Sequence, residues 1–275
     1  RHRGDGDAMV FWGEDKVKRR LSFRETHEKV SVLAQALKRA GVKPGDRVGA
    51  YLPNMPEAII AMLAASSLGA VWSSTSPDFG VQGVLDRFGQ IEPKVLFAVD
   101  GYHYNAKRHD CLAKVKQIAA GLDSLEATVI IPYGDEPVDP GAMPDAVTLD
   151  EFTKDFQAGE IEFTPLPFDH PLYILFSSGT TGAPKCIVHS QGGALLKHAT
   201  EHVLHCDINP GDRVFFFTTC GWMMWNWLAT VMVTGATLLL YDGSPFSPSP
   251  GILFDFADAE KMTHFGTSAK FIDAI

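Results

Sequence analysis

Residues 177–185 read SSGTTGAPK and lie between two apolar runs, YILF (173–176) and CIVH (186–189). Ser177, Ser178, Gly179, Thr180, Thr181 and Gly182 crowd hydroxyls and backbone N–H groups into one short loop. Gly179 and Gly182 carry no Cβ, so the backbone can turn tightly and approach a ligand closely. Such a loop suits a polyphosphate: N–H dipoles and hydroxyls point at the anion, and Lys185 adds a mobile positive charge. The spacing Gly179-x-x-Gly182-x-x-Lys185 is not that of a Walker A loop, G-x-x-x-x-G-K-[ST], so a Walker-type fold is not implied.

A second constellation is His198, His202 and His205, at i, i+4 and i+7 on one predicted helix with Glu201 beside them. That spacing could bind a metal. No cysteine or carboxylate elsewhere completes a recognisable set, so the histidines read as a solvated or partly buried helix face, and no metal site is assigned. The stretch GWMMWNWL (221–228) carries Trp222, Met223, Met224, Trp225 and Asn226. Each is open to two readings, core of a buried helix or wall of a pocket. Trp222 and Met223 favour the pocket, because they come first after a strand, at the carboxyl edge where α/β sheets bind ligands.

The elements that must hold these groups alternate. Ser22 and Glu25 form a capping-box pattern that opens a helix with Phe23, Val30, Leu33 and Leu37 at helical spacing, ended by Gly41. A strand follows at 47–52, an almost wholly apolar helix at 56–68, and a strand at 70–74. Strands at 94–99 and 127–131 flank a helix predicted over 106–120. Alternation of this kind predicts an α/β fold, a mostly parallel sheet covered by helices. Residues 132–171 are richer in Pro, Gly and Asp and read as a linker with a short helical pattern near 149–156. The chain therefore divides into 1–150, a first α/β subdomain, and 151–275, a second one carrying the loop.

The two subdomains read as a repeat. PGDRV occurs at 44–48 and again at 210–214, and Gly69-Ala70 recurs as Gly235-Ala236, both at an offset of 166 residues. PGD is a good turn anywhere, but the shared register favours related halves.

Bulk properties exclude several classes. With 45% hydrophobic and 21% charged residues the chain has the composition of a folded globular protein. A formal charge of −9 argues against nonspecific nucleic-acid binding. Cys111, Cys186, Cys206 and Cys220 show no CxxC spacing and read as free thiols of a reducing compartment. Residues 214–241 hold no charged side chain, enough in length for a membrane span. Breaks at 218–221 and 234–236 divide them instead into strand, helix and strand, so no membrane span is expected. The first residues have no apolar core of a signal peptide and no initiator Met, and the last ones stop within a helical pattern without a cap. Both ends read as cut, as in a fragment of something longer.

The loop SSGTTGAPK resembles the phosphate-binding loop of the adenylate-forming enzymes: acyl-CoA synthetases, luciferases and peptide-synthetase adenylation domains. IVHSQGGALL (187–196), GWMMWNWL and THFGTSAKF (263–271) resemble the acetoacetyl-CoA synthetases in particular, and the resemblance runs from about Met9 onward. Cys186 departs from it, standing where glycine or alanine is common.

The resemblance implies part of the large N-terminal domain of such an enzyme. It also implies a cytosolic ligase that uses ATP with Mg2+ to turn acetoacetate into an acyl-adenylate and then CoA to form acetoacetyl-CoA. Ser177, Ser178, Gly179, Thr180, Thr181, Gly182 and Lys185 would hold the ATP phosphates. Residues 222–226 would line the acyl pocket, with Asn226 able to hydrogen-bond a 3-keto oxygen. His264 and Phe265 lie where an active-site aromatic is expected. Lys107 and Arg108, within YHYNAKR (102–108), would fall in a CoA phosphate-contacting segment. The adenine, ribose and C-terminal catalytic motifs of the family do not occur in these residues, so little activity and marginal stability are expected of them alone. An acetyl- or propionyl-CoA synthetase and a noncatalytic nucleotide-binding fragment remain the alternatives. Oligomeric state is not indicated.

Overall fold

A computed structural model describes residues 4–134, 136–141, 143, 146–177 and 182–275. The chain opens with a hairpin of β1 (Asp7–Gly13) and β2 (Val17–Ser22). Then come α1 (Phe23–Arg39), β3 (Arg47–Tyr51), α2 (Pro56–Ser67), β4 (Val71–Thr75), α3 (Val81–Ile91) and β5 (Val95–Val99). A ribbon of β6 (Gly101–Tyr104) and β7 (Lys107–Asp110) precedes α4 (Leu112–Ala120), β8 (Ala127–Ile131), β9 (Ala146–Thr148) and α5 (Leu149–Thr153). The second half opens with another hairpin, β10 (Pro171–Ser177) and β11 (Lys185–Ser190), and α6 (Gln191–Ala199), which runs into a π-helical turn (Thr200–His205). It continues with β12 (Arg213–Phe216), α7 (Met223–Thr230), a 3-10 turn (Val231–Thr234), β13 (Thr237–Asp242), α8 (Ile252–Ala259), β14 (His264–Gly266) and α9 (Ala269–Asp273).

The architecture is α/β, as the alternation predicts. One sheet has the order β11-β10-β4-β3-β5-β8-β9 and another the order β14-β12-β13-β1-β2, while β6 and β7 pair only with each other. Among the described residues every pairing is parallel except within three hairpins. β5 (VLFAV) is buried at every position, as a parallel strand covered on both faces must be.

The sheets do not divide where the chain halves divide. β1 and β2, from the first half, complete the second sheet beside β13, and β10 and β11 complete the first sheet beside β4. Each half gives its opening hairpin to the other's sheet. Apart from this exchange the halves share one plan. β4, β3 and β5 lie in the same spatial order as β13, β12 and β14. Arg47 pairs with Val71 as Arg213 pairs with Thr237, so the 166-residue offset holds in the strand register.

Local chemistry sets the elements. Ser22 accepts the Glu25 N–H while the Glu25 carboxylate accepts from the Ser22 N–H, a complete capping box on α1. Pro56 starts α2, whose missing N–H costs nothing at that position. Gly69 and Gly235 end their helices with φ of +77° and +86°, where a side chain would be strained. The charge-free stretch 214–241 forms β12, α7, the 3-10 turn and β13. No helix among the described residues is long and apolar enough to cross a membrane. One expectation fails: residues 106–110 are not the start of a helix. Lys107–Asp110 is strand β7, and α4 begins at Leu112. β1 stitches the interior together by alternation. Met9 and Phe11 enter the main core, whereas Val10 and Trp12 enter a second one with Phe215, Leu239 and Phe256.

Candidate active site at the carboxyl edges of the sheets

Ser177 closes β10 and Lys185 opens β11, and the two stand opposite each other in the antiparallel register. The loop they carry therefore springs from the carboxyl end of a strand that runs parallel to β4, the edge at which α/β sheets bind ligands. Ser178, Gly179, Thr180 and Thr181 lie outside the described residues. Gly182 has φ +139°, and a Cβ built there would meet nothing among the described residues within 4 Å, so the space beside Gly182 is open. Lys185 is exposed and has no ion-pair partner among the described residues. Behind the loop, Gln90 donates to the Pro184 carbonyl at 2.9 Å, and Cys186 Sγ lies 3.7 Å from Gln90 Oε1.

The GWMMWNW segment splits by its place at the N-terminus of α7. Trp222 and Met223 are 63% and 46% exposed. Trp225 is buried, stacks on Trp72 with centroids 6.3 Å apart, and donates Nε1–H to Asn54 Oδ1 at 3.0 Å. Asn226 is 1% exposed, and neither its Oδ1 nor its Nδ2 finds a partner among the described residues. Met223, Met224 and Trp227 form the apolar wall of a cavity of about 630 Å³ between α6 and α7, and Asn226 is not in its lining.

His198 closes the same cavity from α6. Thr230 Oγ1 lies 2.8 Å from His198 Nδ1, 3.0 Å from His202 Nε2 and 2.8 Å from the Trp227 carbonyl. The carbonyl takes the one hydroxyl proton, so both rings must donate and their tautomers are fixed. Burial pushes His198 down and His202 down to about 4, which keeps both neutral. His205 turns instead to Glu201, at 3.3 Å. His198 and His202 thus converge on Thr230 Oγ1 while His205 turns to Glu201, so the three rings do not face one point.

Elsewhere the proposed residues take structural partners. His264 Nε2–H donates to the Cys206 carbonyl at 3.0 Å, and Nδ1 lies 2.9 Å from Thr263 Oγ1. Phe265 faces the other way, in near-parallel contact with Phe254 at 5.9 Å. Arg108 pairs with Asp100 at 2.6 Å, beneath the β6–β7 ribbon. Lys107 is exposed and pairs with no carboxylate among the described residues.

A second cavity, of about 540 Å³, lies between the carboxyl edges of the two sheets. Tyr102, Tyr104 and His109 line it from the ribbon, and Asp242 from the end of β13. Asp242 accepts the Tyr133 hydroxyl at 2.9 Å. Burial, with the charge of Glu14 adding to it, pushes the Asp242 carboxyl up to about 7 against that hydrogen bond. Asp242 escaped the sequence reading, since a lone Asp after LLLY announces nothing. Its only signal was position, at the carboxyl end of an apolar strand.

Two related, mostly parallel sheets flanked by helices define an α/β protein. The AMP-binding enzyme family model matches residues 1–275, and the chain belongs to that family. It is 58% identical to acetoacetyl-coenzyme A synthetase of Rhizobium meliloti (strain 1021), over all of this chain and 42% of that protein. It is 48% identical to acetoacetyl-CoA synthetase of Gallus gallus, over 98% of this chain and 41% of the relative. The solved acetoacetyl-CoA synthetase from Streptomyces lividans matches with a TM-score of 0.92 and 43% identity, covering 98% of this chain and 41% of that one. The chain thus spans about two fifths of the length of the relatives it matches.

Proposed function

We propose that this chain is part of an ATP-dependent acid–thiol ligase that converts acetoacetate, ATP and CoA into acetoacetyl-CoA, AMP and pyrophosphate. The observation that carries the reading is the β10–β11 hairpin. It puts Ser177 and Lys185, the two ends of the SSGTTGAPK segment, opposite each other at a sheet's carboxyl edge, with open space beside Gly182 and no ion-pair partner for Lys185 among the described residues. The names of the relatives supply the acid.

In the first step a carboxylate oxygen of the acid bonds to the α-phosphorus and the bond to pyrophosphate breaks. Loop N–H groups, hydroxyls and Lys185 meet the charge gathering on the leaving group, the preorganised electrostatic help such a transfer needs. Mg2+ bound with ATP supplies further charge neutralisation. In the second step the CoA sulfur bonds to the acyl carbon and AMP leaves. Met223 and Met224 wall a pocket for the short acyl chain, with thioethers that fill irregular space. The reading places the enzyme in the cytosol.

The test is pyrophosphate release by the protein that carries this chain at the relatives' full length, with acetoacetate, acetate or propionate as the acid. Release with acetoacetate well above the other two supports the reading. Faster release with acetate or propionate replaces it with a different short-chain ligase, and none with any acid removes the ligase.

A further inference from the structure

Glu14 is a carboxylate with no exposure and, among the described residues, no side-chain cation in an ion pair with it. It sits in the β1–β2 turn at φ +50°, and its N–H donates to the Asp242 carbonyl at 2.9 Å. Its Oε1 accepts the Ser244 N–H at 2.9 Å and the Asn105 N–H at 2.6 Å, and its Oε2 accepts the Ala106 N–H at 2.8 Å. Three backbone dipoles from two distant segments thus compensate one buried charge, the charge-assisted bonding that makes such burial tolerable. Gly243 makes room for it, since a Cβ there would stand 2.3 Å from Glu14 Cγ.

The segment Glu14 grips needs an anchor. β6 and β7 form a two-stranded ribbon that joins neither large sheet, and an isolated hairpin is marginal on its own. Its two-residue turn puts Asn105 and Ala106 at φ +54° and +62°. A primed turn of this kind prefers glycine, and alanine is strained there. The bonds to Glu14 hold that conformation.

The ribbon's faces differ in use. Tyr102 pairs with His109 and Tyr104 with Lys107, which puts these four side chains on one face. Tyr102, Tyr104 and His109 line the cavity between the sheets, joined from α9 by Lys270. His103 and Arg108 occupy the opposite face, where Arg108 is held by Asp100. Lys107 shares the first face without being one of the residues that line the cavity, and of the two neighbouring cations it is the one without a carboxylate partner among the described residues.

We propose that Glu14 is a positioning residue: its carboxylate locks the ribbon's tip to the loop after β13 and so sets Lys107, on the cavity-lining face, to meet the phosphate-bearing part of the thiol substrate. This rests on the ligase reading above. Glu14 touches no substrate and acts through the turn.

The experiment uses the full-length protein and reads its two half-reactions separately. Pyrophosphate release without CoA reports adenylation, and CoA-dependent AMP release reports thioester formation. Glu14→Gln, which puts an amide N–H against one of the three donors, is expected to raise KM for CoA roughly tenfold, the equivalent of about 1.4 kcal/mol. Adenylation should change less than twofold. Lys107→Ala should raise KM for CoA similarly, and the double variant should fall well short of the product, because both changes remove one interaction. Equal losses in both half-reactions, or multiplicative effects, would overturn the proposal in favour of a merely structural Glu14. Lys107 is exposed and its variant will fold, so an unchanged KM for CoA in Lys107→Ala overturns it even if the Glu14 variant does not fold. The half-reactions are read with whichever acid the wild type adenylates. Failure of acetoacetate alone then removes the substrate reading, while the variant pattern still decides the role of Glu14.

Discussion

Tyr133 donates its hydroxyl to Asp242 Oδ2 at 2.9 Å, and that bond crosses from one sheet to the other. Tyr133 follows β8 of the first sheet and Asp242 ends β13 of the second. The phenol is pushed up by burial first and by the Asp242 charge next, so it stays a donor at any working pH.

The carboxyl end of this pair gives a pH prediction. A group whose folded pKa is raised, here to about 7 from an ordinary 3.8, keeps its proton in the native state while the unfolded chain loses it. Its stabilising contribution is full below about pH 4 and is lost as pH rises to about 7. Asp242→Asn keeps an acceptor for Tyr133 and removes the titration. Urea unfolding at several pH values should show wild type losing on the order of 2–4 kcal/mol relative to the variant across that window, then no further change. A pH-independent difference between the two would remove the argument.

A second seam is ionic. Asp7 and Glu260 each meet both Arg20 and Arg213; the Arg213 contacts are at 2.8 Å, and Arg20 reaches Glu260 at 2.7 Å. The four residues join β1, β2 and β12 to the end of α8. Glu260 is 7% exposed, so removing one cation leaves a poorly solvated carboxylate behind. Arg213→Ala should cost about 2–4 kcal/mol, below the cost for a fully buried pair. Lys38→Ala, which breaks an exposed pair with Glu162, should cost next to nothing by comparison. Comparable losses in thermal unfolding would mean that the network is no more than a surface ornament.

How much of this could be read from the chain depends on locality. Asp46 and Asp212 were visible as matching PGD turns, and they do the same work. Each accepts the N–H three residues back, from Lys43 at 2.9 Å and from Asn209 at 2.7 Å. Capping at Ser22, the strands around residues 47, 71 and 95, and the break-up of residues 214–241 were equally legible, since turn residues and apolar runs are local signals. The exchange of hairpins was not. Nothing in MVFW or YILF says which half will take the strand, because parallel pairing is decided by partners far away in sequence. The ribbon at 101–110 was hidden because its turn is Asn-Ala rather than Asn-Gly, and only Glu14, some ninety residues earlier, makes that turn sensible. Two of the five residues in the WMMWN segment separate from the rest only with the helix phase in hand. Trp225 and Asn226 point into the core, while Trp222 and Met223 reach outward.

That division yields a paired test on the full-length protein. Met223→Ala should change the ratio of rates with acetoacetate, propionate and butyrate by severalfold, with little effect on folding, because its side chain is exposed at the cavity. Trp225→Ala removes a buried ring and an indole hydrogen bond and should cost about 3–5 kcal/mol. Acid selectivity that follows Trp225 and ignores Met223 would put the pocket on the other side of α7.

The Thr230 hydroxyl makes the most specific prediction about protonation. It has one proton and two lone pairs, and the Trp227 carbonyl, His198 and His202 use all three. His198 must then carry its proton on Nδ1 and His202 on Nε2, a difference that nitrogen NMR shifts report directly. His202 should stay neutral until about pH 4, far below the ordinary histidine value of 6.5. A folded pKa lowered in this way means that the unfolded chain binds the proton first on acidification, so this contribution to stability is present above about pH 6.5 and lost as pH falls to about 4. Its slope opposes that of Asp242 over much of the same range, and the two partly cancel in the wild type. Asp242→Asn should therefore uncover a rising limb between about pH 4 and 6.5. Thr230→Val should leave both imidazoles without their acceptor, destabilise the fold by about 1–3 kcal/mol and release the fixed tautomers. If His202 instead titrates near 6.5 in the wild type, the hydroxyl does not hold the two rings as described, and the α6–α7 cavity has a different polar lining.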